Sequence, residues 1–114
     1  MKINFLNPPW IYLSDFQKVS VLQRMILVHS YLYYEEDESV ISDKDFDELS
    51  KQLVEMQNWF DENELKTKTD YGYVFIGFDG TTGFDLYDKL NSYDKTWIGL
   101  IAINVLESYR RETR

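Results

Sequence analysis

The chain has 114 residues, of which 44% are hydrophobic and 17% aromatic, so it has enough apolar material for one folded domain and is not a globally disordered chain. Its formal net charge of -8 argues against direct binding to nucleic-acid phosphates or to an anionic membrane, which both require a basic surface. The absence of cysteine excludes a disulfide framework and a thiolate metal site.

The sequence also favours a cytoplasmic protein. It contains no run of about eighteen apolar residues, the length that a membrane-spanning helix needs. The start, MKINFLNPPWIY, lacks the basic segment and the small-residue cleavage site of a signal peptide. No membrane association is therefore expected.

The start of the chain is predicted to form a strap followed by a first helix. Residues 1–13 contain Pro8-Pro9 followed by aromatic residues, which predicts an extended N-terminal strap whose rings pack over the helices. Ser14 has Gln17 three residues later, the spacing of a capping box, and this predicts a helix over 15–36. Its apolar stripe comprises Val21, Met25, Val28 and Leu32, widened by Leu22, Ile26 and Tyr33.

A second helix is predicted to begin after Ser42, because Asp43 and Asp45 then occupy the first turn, where the helix dipole favours negative charge. Apolar residues at steps of three and four extend this helix to about Asp61. These residues are Phe46, Leu49, Leu53, Met56 and Phe60. The acidic run Glu35 to Glu38 lies between the two helices and is predicted to be a loop.

The second half of the chain has a different pattern. Aromatic and β-branched residues within 67–79 are bounded by Asp79-Gly80, which predicts one strand or a small hairpin. A short helix is predicted over 84–90. A final helix over 95–112 is apolar on nearly every side, so we expect other elements to surround it as a core helix.

Together these elements predict one mainly α domain, of α+β class, with a helix-loop-helix corner and a small β element. Its parts are expected to be the strap (1–13), the helix-loop-helix (14–61), and the β element with the C-terminal core helix (67–114).

His29, the single histidine, lies one helical turn before Tyr33. With no cysteine in the chain, a zinc site would consist mainly of carboxylates, so we expect a packed or hydrogen-bonded histidine and no metal site. No nucleophile elbow is present, and hydrolase chemistry based on a serine relay has no support.

The helix-loop-helix corner concentrates aromatic rings and carboxylates. Antiparallel packing of the two helices would bring five residues to one rim, namely Tyr33, Tyr34, Asp43, Phe46 and Asp47. Rings can stack on a heteroaromatic base and carboxylates can accept hydrogen bonds from ribose hydroxyls, so this rim suits a nucleoside better than a polyphosphate. Aromatic core packing beside a capped helix is the alternative, because periodicity alone does not separate the two.

The segment from His29 to Leu49 reads His-x-x-x-Tyr-Tyr, an acidic loop, and then Val-Ile-Ser-Asp-x-x-Phe-Asp-x-Leu. This pattern resembles the small N-terminal helical domain of NAD-dependent DNA ligases, over about residues 18–57. In those enzymes the domain folds over the nicotinamide mononucleotide (NMN) half of NAD during self-adenylation. The resemblance implies an NMN or NAD ligand and nicotinamide-site roles for Tyr33, Tyr34, Asp43, Phe46 and Asp47. We expect that the protein requires no cofactor.

Two departures from the ligase pattern affect function. Phe46 stands where the ligases usually have tyrosine, so stacking is kept and one hydroxyl is lost. The ligases also need a nucleophilic lysine in a Lys-x-Asp-Gly motif, whereas Asp79-Gly80 is preceded at that position by Gly77. Ligase activity by this chain alone is therefore not expected. The whole chain also resembles short ligase-related proteins of phages that infect Gram-positive hosts.

Three hypotheses for function remain. The first is a non-catalytic module that binds NMN, NAD or a related nucleotide. The second is an acidic interaction or inhibitor protein whose run Glu35 to Glu38 binds a basic surface of a host replication, repair or defence protein. The third, an NAD-consuming hydrolase, depends only on the ability of a carboxylate beside aromatic rings to stabilise an oxocarbenium-like state.

Overall fold

The structure, a computed structural model, describes residues 1–81 and 85–113. This part of the chain is helical and contains no strand. None of its helices is both long and apolar enough to cross a membrane. Its α-helices are α1 (Asp15–Glu35), α2 (Asp43–Gln57), α3 (Glu62–Lys68), α4 (Gly72–Phe75) and α5 (Ser92–Glu112), with 3₁₀ turns at Trp10–Tyr12 and Tyr87–Lys89.

Helix α1 is the central element, because both α2 and α5 pack against it. It begins where the sequence predicts. The Gln17 amide donates to Ser14 Oγ at 3.2 Å and the Ser14 amide donates to Gln17 Oε1 at 2.8 Å, which completes the capping box. Leu22, Ile26 and Leu32 are fully buried on its inner faces.

Helix α2 also begins as predicted, since the Asp45 amide donates to Ser42 Oγ at 3.1 Å. It ends at Gln57 rather than at Asp61, because Asp61 caps the next helix. The Asp61 carboxylate accepts from the Glu64 amide at 2.8 Å, and the Asp61 amide donates to Glu64 Oε1 at 3.2 Å. This second capping box starts α3, a helix that the periodicity did not predict.

The predicted β element is wrong for the described residues. Residues 72–75 instead form the single helical turn α4. Tyr71, Val74 and Phe75 are spaced by three and one, so a helical turn buries all three on one side, whereas a strand would place neighbouring side chains on opposite faces. Packing against the rest of the molecule therefore outweighs the strand preference of these residues.

Helix α5 begins at Ser92, three residues earlier than predicted, because Asn91 Oδ1 accepts from the Asp94 amide at 2.8 Å. Only Ile98, Ala102 and Leu106 of this helix are buried. The expectation that other elements surround α5 is wrong, since the helix packs along one side of α1 and leaves much of its apolar surface exposed. The short helix predicted over 84–90 is present only as the 3₁₀ turn Tyr87–Lys89 within the described residues, and residue 84 lies outside them.

The N-terminal segment packs partly as predicted. Phe5 is buried and contacts Trp10 edge-to-face, with ring centroids 6.2 Å apart. Tyr12, in contrast, is 81% exposed, because the chain turns through the 3₁₀ turn before it enters α1. The rings of this segment therefore do not all pack over the helices.

Candidate functional site

The loop between α1 and α2 determines how the two helices meet. Asp37 adopts a left-handed conformation with φ 52°, which aspartate tolerates better than most residues. The Glu38 amide donates to the carbonyl of Leu32 at 2.8 Å, and Arg110 of α5 forms an ion pair with Glu38 at 2.6 Å. These contacts place the end of α1 beside the start of α2.

A cavity of about 140 Å³ opens at this corner, and we name it the inner recess. The end of α1, the loop and the first turn of α2 all contribute to its lining. The lining residues are His29, Ser30, Tyr33, Tyr34, Ser39, Val40, Ile41, Asp43 and Phe46. Four of the five residues that the sequence singles out therefore line one recess.

The aromatic residues supply the apolar surface of the inner recess. Tyr33 and Tyr34 contact each other edge-to-face, with centroids 4.8 Å apart and planes at 87°, while Phe46 is half-buried. Tyr33 is 52% exposed and Tyr34 42% exposed. Such exposed rings at a concave surface are suited to stacking on a flat ligand.

The two carboxylates differ in position and in contacts. Asp43 is the first residue of α2 and lines the inner recess. Within the described ranges, no hydrogen bond or ion pair occupies its carboxylate. Asp47, one turn later, forms an ion pair with Lys51 at 2.9 Å, and this hydrogen bond raises the pKa of Lys51. Asp43 is thus the acid available to a ligand in the inner recess.

A second, more open depression adjoins the first, and we name it the outer recess. Asp47 lies here rather than in the inner recess. The lining residues are Tyr34, Asp43, Lys44, Phe46, Asp47, Gly80 and Thr81. Because Tyr34, Asp43 and Phe46 line both recesses, the two form one continuous surface.

The second half of the chain reaches the outer recess through a tight turn. Gly80 has φ 85°, a conformation that favours glycine. The Asp79 carboxylate accepts from the Thr81 amide at 3.0 Å and from its hydroxyl at 2.6 Å, and these hydrogen bonds lower the pKa of Asp79. The turn places Gly80 beside Ser50 and Val54 of α2, and Gly80 and Thr81 line the outer recess.

Two polar residues of α1, His29 and Ser30, also line the inner recess. The sequence predicts a packed or hydrogen-bonded role for His29, and it does not single out Ser30. His29 Nδ1 and Ser30 Oγ are buried and have no hydrogen-bond partner among residues 1–81 and 85–113. Burial lowers the pKa of His29, so its imidazole is neutral at pH 7. Helical spacing could have identified Ser30 as a residue of the recess, because it precedes Tyr33 and Tyr34 by three and four residues and shares their helix face.

Residues 14–66 match the family model described as the DNA ligase-like N-terminal NAD+-binding domain. The match covers slightly less than half of the chain and includes α1, α2, the loop between them and every residue of the inner recess. The resemblance to the ligase domain is therefore confirmed for this segment. No curated protein and no solved structure matches the chain significantly.

Proposed function

We propose that this chain is a non-catalytic module that binds nicotinamide mononucleotide, or the same half of NAD, in the inner recess. Tyr33, Tyr34 and Phe46 would contact the nicotinamide ring, and Asp43 and Asp47 would accept hydrogen bonds from the amide or the ribose. The observation that supports this proposal is a recess lined by aromatic rings and by the Asp43 carboxylate, which has no partner among the described residues, within the segment that matches the NAD+-binding family.

The size of the inner recess supports a single ring as its occupant. Its volume is about 140 Å³, and an apolar cavity of about 150 Å³ is sufficient to hold benzene. A pyridine ring with one small substituent is of this size, whereas a dinucleotide is several times larger. The ribose and phosphate would therefore lie in the outer recess, which continues from the same side chains.

Lack of ligase chemistry follows from the sequence of these 114 residues, which holds no Lys-x-Asp-Gly motif. Adenylyl transfer needs that lysine as the nucleophile. Binding without turnover is the function that the remaining groups support.

NMN is expected to stabilise the protein. At a concentration one hundred times Kd, the free energy of unfolding should rise by about 2.7 kcal/mol, because the ligand binds the folded state alone. Thermal unfolding at increasing NMN concentrations measures this effect. Tyr33→Ala and Asp43→Ala should each abolish it, since they remove a stacking ring and the carboxylate that lines the inner recess.

Asp15→Ala is the matched control for Asp43→Ala. Asp15 and Asp43 are each the first residue of a helix capped by serine, so both substitutions remove the same favourable charge from a helix N-terminus. Asp15 lies outside both recesses, and its variant should keep the full response to NMN. An unchanged melting temperature of the wild-type protein at millimolar NMN would contradict the proposed function.

A protein-binding role is the second candidate, and the exposed face of α5 favours it. Tyr93, Trp97 and Leu100 are 71%, 49% and 50% exposed and follow one another at steps of four and three along this face. The acidic run is a weaker candidate for this surface, because Glu36 accepts from the Tyr31 hydroxyl at 2.9 Å and Glu38 is paired with Arg110. The partner would be a host protein with a basic surface, which the net charge of -8 would attract.

This second role predicts that one host protein is captured at low salt and released at high salt, because salt screens the attraction between the two charged surfaces. Trp97→Ser should abolish the capture. Trp59→Ser is the control, since Trp59 is 59% exposed but lies outside α5. Equal capture by both variants, or none at either salt concentration, would contradict this role.

A further inference from the structure

A shallow groove runs along most of α5, outside the segment that matches the ligase family. It consists of two depressions of about 370 and 440 Å³, and Ile101 lines both, so the two are continuous. We name them together the α5 groove. Arg24 of α1 lines one end and Val40 of the loop lines the other. The lining residues on α5 include Tyr93, Asp94, Trp97, Ile101, Val105 and Tyr109.

The length of the α5 groove suits a helix. Its lining extends along α5 from Tyr93 to Glu112, and an α-helix rises 1.5 Å per residue, so the groove is about 28 Å long. Aromatic and aliphatic side chains recur in it every four residues from Tyr93 to Tyr109, which gives one apolar row on the helix surface. α5 itself has 21 residues, so its length matches that of the groove beside it.

The charge of α5 favours a second copy of the same helix as the occupant. α5 has three acidic and three basic residues, namely Asp94, Glu107, Glu112, Lys95, Arg110 and Arg111. The helix is therefore neutral, and the rest of the chain carries the whole formal charge of -8. Two copies can meet along α5 without the repulsion that opposes other contacts between such acidic chains. A basic partner would be attracted by the acidic surfaces elsewhere rather than by this neutral helix.

We infer that two copies of this chain dimerise with their α5 helices antiparallel, so that each α5 lies in the α5 groove of the other copy. The last turn of one helix then lies beside the first turn of the other. Arg111 of one copy can pair with Asp94 of the second copy and stack on its Tyr93 ring. Among the described residues, Arg111 contacts only the Ser108 hydroxyl, to which its Nη2 donates at 3.2 Å. The twofold symmetry of the dimer makes each of these contacts twice.

The dimer is expected to be weak, with a Kd on the order of 10 µM. The exposed apolar surface of the α5 groove is on the order of a few hundred Å² per copy, less than the about 800 Å² per partner of a standard interface. Among the described residues, Val40 is the one residue that lines both the groove and the inner recess, so both copies should still bind NMN. A second copy on this face would exclude the host protein of the second candidate function.

Sedimentation velocity over about 1 to 500 µM protein brackets the expected Kd. The mass of the wild-type protein should rise from 13.7 kDa to twice that value as the concentration increases. Trp97→Glu should stay monomeric, because it places a charge in the apolar row. Trp59→Glu is the matched control, since Trp59 is 59% exposed but lies outside α5, and this variant should dimerise like the wild type.

Charge reversal tests the antiparallel arrangement. Arg111→Glu and Asp94→Arg should each weaken the dimer about tenfold, because each brings like charges together at two places. An equimolar mixture of the two variants should dimerise like the wild type, since every reversed charge then faces an opposite charge. Asp94→Arg also removes the acceptor of the Tyr73 hydroxyl, but mixing does not repair a folding defect, so recovery in the mixture reports on the contact between copies.

Three results would overturn the inference. One is a wild-type protein that stays monomeric at every concentration, whatever it captures from a host lysate. The second is equal dimerisation of Trp97→Glu and Trp59→Glu, which would place the interface outside the α5 groove. The third is a mixture of the two charge-reversal variants that stays monomeric although circular dichroism shows both to be folded.

Discussion

Replacing Gln23 by leucine is expected to lower the free energy of unfolding by about 3 kcal/mol, because it leaves two buried polar groups without partners. Gln23 is fully buried in α1. Its Nε2 donates to Gln57 Oε1 at 3.1 Å and to Thr69 Oγ1 at 3.2 Å, and its Oε1 accepts from the Tyr71 amide at 3.2 Å. One side chain thus joins α1 to α2 and to the segment between α3 and α4.

Leucine has nearly the volume of glutamine but none of its hydrogen bonds, so the substitution removes the polar contacts with little change in packing. The Tyr71 amide and Gln57 Oε1 would remain buried and unpaired. Urea denaturation gives the free energy of unfolding, and an unchanged denaturant dependence (m-value) would show that the unfolded state is unaffected.

Gln52→Leu is the matched control. Gln52 is also buried, and it makes two hydrogen bonds, to the amide and the carbonyl of Ile3 at 3.0 and 2.8 Å. Ile3 is only partly buried and lies near the chain terminus, so water can replace the lost contacts. The free energy of unfolding of Gln52→Leu is therefore expected to fall by less than about 1 kcal/mol. Equal losses for the two variants would contradict the role assigned to Gln23.

Gly72→Ala is expected to destabilise the protein by about 3 kcal/mol or to prevent folding, since a rigid backbone contact leaves no space for a methyl group. A Cβ at this position would lie 1.8 Å from the carbonyl oxygen of Leu65 and 2.5 Å from Thr69 Oγ1. The first turn of α4 approaches the end of α3 this closely because residue 72 has no side chain. Thermal unfolding of the purified variant measures the effect.

Gly99→Ala tests whether the loss of stability expected for Gly72→Ala is specific to the contact with Leu65. Gly99 lies inside α5, and among the described residues a Cβ there would meet only the Tyr87 hydroxyl at 3.8 Å, an ordinary contact distance. Alanine favours a helix interior over glycine by about 1 kcal/mol, so this variant should melt at a higher temperature than the wild type. A Gly72→Ala protein that is as stable as Gly99→Ala would contradict the packing described for α3 and α4.

The inner recess shows which part of a site helical spacing can predict. Tyr33, Tyr34, Asp43 and Phe46 line it because two signals, the end of one capped helix and the start of the next, bring them to one corner. Ser30 was not predicted, because its polar atom matters only once burial deprives it of water. Gly80 and Thr81 were not predicted either, since their turn reaches the outer recess from a distant part of the sequence.

The sequence by itself determined α1 and the start of α2, because Ser14, Gln17 and Ser42 satisfy the first amides of each helix through neighbours only three residues away. Only the tertiary structure decided the rest. Tyr71, Val74 and Phe75 form a helical turn because the core buries them together. Trp97 is exposed because α5 packs along one side of α1. Both outcomes depend on which surfaces meet, and the local order of residues does not contain that information.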